Sequence, residues 1–90
     1  MKRYVIEREI PGIGGLTAEQ IAGAAANSNA ALAKLGGKAQ WLESFVAADK
    51  TFCVYLAADE AAVRDHARLS GFPANKLTEV GRVISPLTAG

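Results

Sequence analysis

The stretch from Thr17 to Gly37 constrains the fold most, because both ends of a helix are written into it. Thr17 with Gln20 three residues later has the form of a capping box, in which each side chain satisfies the other residue's backbone N–H. Ile21, Ala25, Ser28, Leu32 and Leu35 follow at helical spacing, which predicts a helix from Ala18 to Leu35. Gly36-Gly37 ends it, and Lys34 sits near the negative end of its dipole. Asn27 and Asn29 read as outward surface positions.

Arg3 to Ile10, before the helix, alternates: Tyr4, Ile6, Arg8 and Ile10 point one way, Val5, Glu7 and Glu9 the other. This predicts a strand with one acidic face, stopped by Pro11-Gly12-Ile13-Gly14-Gly15. Beyond the helix, Gln40 to Ala48 and Thr51 to Ala58 are rich in aromatic and β-branched residues, with Asp49-Lys50 as a short hairpin turn. An even loop sets Ser44 and Val46 on one face with Cys53 and Tyr55, and Phe45 and Ala47 on the other with Phe52 and Val54; an odd loop reverses the pairing. Asp59 and Glu60 open a second helix that Gly71 closes and Pro73 prevents from continuing. On a helical wheel Ala62, Val63, His66, Ala67, Leu69 and Ser70 form the inward arc. Leu77 to Ser85 is a final strand, interrupted by Gly81 and ended by Pro86.

The order β-α-β-β-α-β predicts an α+β, ferredoxin-like sandwich as one domain over residues 1–90. Both helices then cover one face of a four-stranded antiparallel sheet, and the other face is bare. With the first and third strands as central neighbours, Glu7 and Glu9 are expected beside Cys53 and Tyr55, which puts Cys53 on the opposite side of the sheet from His66. Many of the apolar residues are alanines that bury little surface each, so the core is thin and a homodimer through the bare sheet face is expected.

Ten basic and nine acidic residues nearly cancel. No Lys/Arg cluster suits nucleic-acid phosphate, so nucleic acid is an expected non-partner. The N-terminus runs straight into charged residues and no segment approaches the length of a membrane span, so a cytoplasmic protein without membrane contact is expected. The single cysteine has no internal partner and suits a reducing compartment.

The one histidine, His66, is the first candidate for chemistry, as a base or a metal ligand; the plainer reading is a packed helix histidine bonded to a carbonyl or carboxylate. Glu7 and Glu9 lie about 7 Å apart on one strand face and suit two carboxylates sharing a cation, or a solvated face; buried by a dimer, they need Arg partners such as Arg82, protons or a metal. Cys53 suits a soft metal or a buried apolar position, and Tyr55 and Trp41 suit a pocket wall or the core. The Gly12-Ile13-Gly14 segment lacks the third glycine of a dinucleotide loop and the lysine of a P-loop, and reads as a turn. One His, one Cys and one Met cannot build a four-ligand site in one chain, so a metal here needs carboxylates, water or a second subunit.

YVIEREIPG at Tyr4 to Gly12, QWLESFV at Gln40 to Val46, CVYLA at Cys53 to Ala57 and RDHARLSGFPAN at Arg64 to Asn75 resemble a family of small bacterial proteins of undefined role. That family includes a nickel-responsive, nickel-binding member. The resemblance implies a ferredoxin-like subunit, a homodimer, and nickel binding that serves sequestration or metal response. The expected function is therefore nickel binding without turnover and without an organic cofactor, with His66, Glu7 and Glu9 as candidate ligands at separate sites or across subunits. The alternatives are a cofactor-free dimeric α+β-barrel enzyme, whose pocket holds His66, Tyr55, Trp41 and Cys53 with His66 as base, and a small-ligand binding module.

Overall fold

Strand β1 (Lys2–Glu9) buries every second side chain, Tyr4, Ile6 and Arg8, because it lies in the middle of the sheet under the helices. The computed structural model describes residues 1–90 and continues with α1 (Ala18–Ala33), β2 (Ala39–Val46), β3 (Lys50–Ala57), α2 (Glu60–Ser70) and β4 (Lys76–Val80). The strands form one antiparallel sheet in the order β2-β3-β1-β4, the ferredoxin-like α+β arrangement that the element order predicts.

Both helices start where the sequence says. Thr17 and Gln20 exchange the two capping-box bonds, at 3.2 and 3.0 Å, and the Asp59 carboxylate accepts the Ala62 N–H at 2.9 Å. Helix α1 ends at Ala33, two residues before the predicted limit, and passes through a turn to Gly36 and Gly37. Asn27 is more than an outward surface residue, since its amide donates to the Ser70 carbonyl at 2.8 Å and ties α1 to the end of α2. Strand β4 stops at Val80 instead of Ser85, so Arg82 lies beyond the sheet and is exposed.

The hairpin connection from Ala47 to Lys50 is even-numbered, with Val46 opposite Thr51 and Ser44 opposite Cys53. The β1/β3 register sets Tyr4 opposite Tyr55, Ile6 opposite Cys53 and Arg8 opposite Thr51. Cys53 and Tyr55 therefore face the helices together with His66, and the expected separation of Cys53 from His66 is corrected. Glu7 and Glu9 share the open face with Phe52 and Val54, not with Cys53 and Tyr55. Both faces of β3 are largely apolar, Cys53, Tyr55 and Ala57 on one and Phe52, Val54 and Leu56 on the other, so hydrophobicity could not choose between registers one residue apart. The core joins Tyr4, Ile6, Cys53, Tyr55 and Ala57 of the sheet to Ala62 and Val63 of α2, with Leu32 and Leu35 against it.

The glycine segment after β1 is a turn with a packing role. Gly14 donates to the Ala48 carbonyl at 2.9 Å, and Gly12 donates to the Asp49 carboxylate at 2.9 Å, which seats the segment on the hairpin. A Cβ at Gly14 would lie 2.6 Å from the Ala47 carbonyl oxygen, whereas one at Gly15 would meet nothing within 4 Å. Gly14→Ala should therefore lower stability by about 1–3 kcal/mol, and Gly15→Ala should stay within about 0.5 kcal/mol of the parent. Equal denaturant midpoints for the two variants would contradict this packing.

Candidate functional site

A cavity of about 90 Å³, partly open to solvent, lies between α1 and the sheet. Ile21, Ala24, Ala25 and Ser28 of α1 form its roof, where the alanines leave space that larger side chains would fill. Thr51, Cys53 and Tyr55 of β3 form the floor beside Arg8 of β1. Ile10, Ile13 and Phe72 complete the apolar lining.

One side wall depends on a bulge that alternation alone does not reveal. Trp41 pairs with Tyr55 and Glu43 with the adjacent Val54, so Leu42 is the extra residue. The bulge turns Trp41 onto the same face as Ser44 and Val46, and the indole N–H donates to the Ser44 hydroxyl at 2.9 Å. Of the four expected pocket residues, Trp41, Tyr55 and Cys53 line one cavity and His66 does not.

Arg8 is 2% exposed, and it is the one ionised side chain among the fourteen residues that line the cavity. Nη1 donates to the Pro73 carbonyl at 2.7 Å and is 3.4 Å from the Phe72 carbonyl. The guanidinium carbon lies 5.9 Å from the centre of the Phe72 ring. Nη2 is buried without a partner, and none of the five ion pairs in the chain involves Arg8. An uncompensated buried ion costs several kcal/mol, which two neutral carbonyls and a cation–π contact only partly offset. Arg8 shares the Tyr4, Ile6 and Ile10 side of the strand in the sequence pattern, and a cation in that otherwise apolar stripe is the signal that marks it. Ser28 is marked in the same way, as a polar residue at helical spacing among Ile21, Ala25, Leu32 and Leu35.

His66 is fully buried behind this wall and does not line the cavity. Its Nε2 is 3.1 Å from the Ser28 hydroxyl and 3.3 Å from the Ser28 carbonyl. Nε2 donates to the Ser28 carbonyl in one tautomer and accepts the Ser28 hydroxyl proton in the other, and Nδ1 has no partner in either. The ring packs on Tyr55 at 5.0 Å between centroids, and the Tyr55 hydroxyl is 3.3 Å from Ser28 Oγ. Burial pushes the His66 pKa down and the Arg8 charge adds to this, against the Ser28 carbonyl bond that favours the cation. Burial also raises the Tyr55 pKa, with the Ser28 bond and Arg8 opposing, so the group is a neutral phenol. Fully buried and bonded to Ser28, His66 fits the plainer reading of a packed helix residue.

A model of the nickel-responsive protein family described as SCO4226-like matches residues 4–80. The chain belongs to this family. The crystal structure of SCO4226 from Streptomyces coelicolor A3(2) has the same fold, with a TM-score of 0.72 at 19% identity over 91% of this chain and 99% of that one. No curated protein matches the chain. In this SCO4226-like protein the matched span holds every residue that lines the cavity and every candidate ligand.

Those candidate ligands are dispersed over the chain. Glu7 and Glu9 lie on the open face, and the Glu7 carboxylate is bracketed by Lys50 at 3.5 Å and Lys76 at 3.9 Å, not by Arg82. His66 and Cys53 lie on the covered face, and nowhere do three His, Cys, Asp or Glu side chains gather in a set that could hold a metal ion. Within this chain these residues do not fit nickel, which needs several nitrogen, oxygen or sulfur donors on one point.

The depressed His66 pKa ties stability to pH. Below the ordinary histidine value of about 6.5 the unfolded chain takes up a proton that the folded chain refuses, so stability is complete above that pH and falls as pH drops toward the folded-state value. His66→Gln should remove this slope in denaturant titrations between about pH 5 and 7. Identical slopes in the parent and the variant would show that His66 is not the titrating group.

Proposed function

We propose that this protein is a binding module that takes a small molecule into the cavity between α1 and the sheet and does not turn it over. The observation that carries this is the cavity itself, a partly open space between α1 and the sheet with an almost wholly apolar wall. The lining favours binding over catalysis: no carboxylate lines the cavity, and the buried His66 ring lies outside it. Fragment titrations followed by amide NMR should shift resonances of Ala24, Ser44 and Cys53. Ala24→Leu, which fills the space, should abolish those shifts while leaving the fold intact. Shifts confined to the open sheet face, with none around the cavity, would contradict this function.

A second reading, nickel binding by a homodimer in a cytoplasmic metal response, rests on the open face. Phe45 is 56% exposed and Val54 half-buried there, so a second subunit has apolar surface to cover. Glu7 and Glu9 project from the same face and would supply carboxylates from both subunits. Calorimetric titration with nickel should give one site per dimer that Glu7→Gln/Glu9→Gln removes and His66→Ala spares. A monomer at micromolar concentration in sedimentation, or nickel binding unchanged by the double variant, would dismiss this arrangement.

A further inference from the structure

Strand β4 ends at Val80, and the chain beyond it carries apolar side chains that nothing in the fold covers. Val83, Ile84 and Leu87 are the most exposed of the large apolar residues, Leu87 at 89%. We propose that residues 82–87 form an arm that packs on the open sheet face of a second copy of this chain, an inference that rests on the homodimer reading of that face. The arm lies beyond the residues 4–80 that match the family.

The local structure of this segment is specified by its own residues. Val83 and Ile84 are β-branched and favour an extended chain, yet pairing with β1 stops at Val80. The Ser85 N–H then donates to the Thr88 hydroxyl at 2.9 Å and the Leu87 N–H to the Ser85 hydroxyl at 3.3 Å, so a capped turn holds Pro86–Ala89. Every hydrogen bond of residues 85–90 closes within the segment. The chain exposes 5715 Å², against about 5,000 Å² for a compact monomer of its 9.4 kDa mass. Its radius of gyration is 13.6 Å, against about 12 Å for a compact domain of this length. An ordered apolar segment held off the body in this way is an interaction surface.

The open face offers an apolar strip and the complementary charge. Phe45, Phe52 and Val54 share it across β2 and β3. Glu43, opposite Val54, and Glu9 on β1 make no ion pair, and neither does Arg82 beside Val83. The arm therefore brings a cation to a face with unpaired carboxylates. A second copy is the partner because the arm is directed away from this strip in its own chain. Lys76 pairs with Glu7 and Val80 with Arg3, so β4 leaves the sheet at the end remote from Phe45 and Phe52, which lie level with Glu7. Two copies related by a two-fold axis exchange arms, each covering the strip of the other.

Sedimentation equilibrium of the whole chain and of Ile84→Asp/Leu87→Asp tests the exchange, with amide NMR to check that the fold is unchanged. The parent should dimerise at micromolar concentration, and the double variant should weaken the dimer at least about 10-fold, since two apolar side chains lose their cover. In a mixture of isotope-labelled and unlabelled chains, the methyl groups of Val83, Ile84 and Leu87 should show interchain contacts to the Phe45 and Phe52 rings, and Phe45→Glu should remove them. A dimer of unchanged affinity in the double variant would overturn the arm and leave the sheet-face homodimer standing, whereas a monomeric parent would overturn both. Arm methyl groups that contact their own chain's open face, or a different surface of the partner, would overturn the exchange.

Discussion

Alternation in the central strand forces a guanidinium beneath α1, and the cavity's chemistry depends on that constraint. Tyr4, Ile6 and Arg8 must share a face because strand side chains repeat every two residues, and that face is the one the helices cover. Arg8 cannot discharge itself, since guanidinium stays protonated at any physiological pH. Its field reaches the other polar groups of the core, favouring neutral His66 and opposing the rise that burial causes at Tyr55. The Gly71–Asn75 segment completes the arrangement: its carbonyls at Phe72 and Pro73 receive Nη1, while the Asn75 side chain accepts the Glu9 backbone N–H at 2.7 Å.

The division of the sheet into two chemically different faces explains why pocket and metal readings coexist for one small chain. The covered face carries Arg8, Cys53, Tyr55, Ser28 and His66, with hydroxyls and an imidazole already bonded to one another. The open face carries Glu7 and Glu9 among half-buried apolar residues and two lysines. Family membership attaches the words nickel responsive to the fold as a whole, and it assigns neither face. A ligand cavity on one side and a subunit contact on the other need not compete, because no side chain serves both.

Much of this was legible in the residues. The capping box, the Gly71 stop, the order of elements and the inward side of β1 follow from local chemistry that tertiary packing did not override. The inward arc of α2 correctly contained His66. What the residues could not give was the β1/β3 register, because β3 offers two largely apolar faces and a one-residue slip exchanges them. The bulge at Leu42 was hidden for a related reason: nothing in the run from Gln40 to Val46 marks an extra residue, and without it Trp41 would point away from Ser44. The orphaned Nη2 of Arg8 is visible only once the neighbours of β1 are in place.

Unfolding of Arg8→Met in denaturant tests most directly whether Arg8 is a buried cation lacking a counter-charge. An isolated ion replaced by an apolar side chain of similar length should leave stability within about 1 kcal/mol of the parent or raise it. A loss of about 3–5 kcal/mol, the signature of a broken buried ion pair, would mean that the fold already compensates the Arg8 charge.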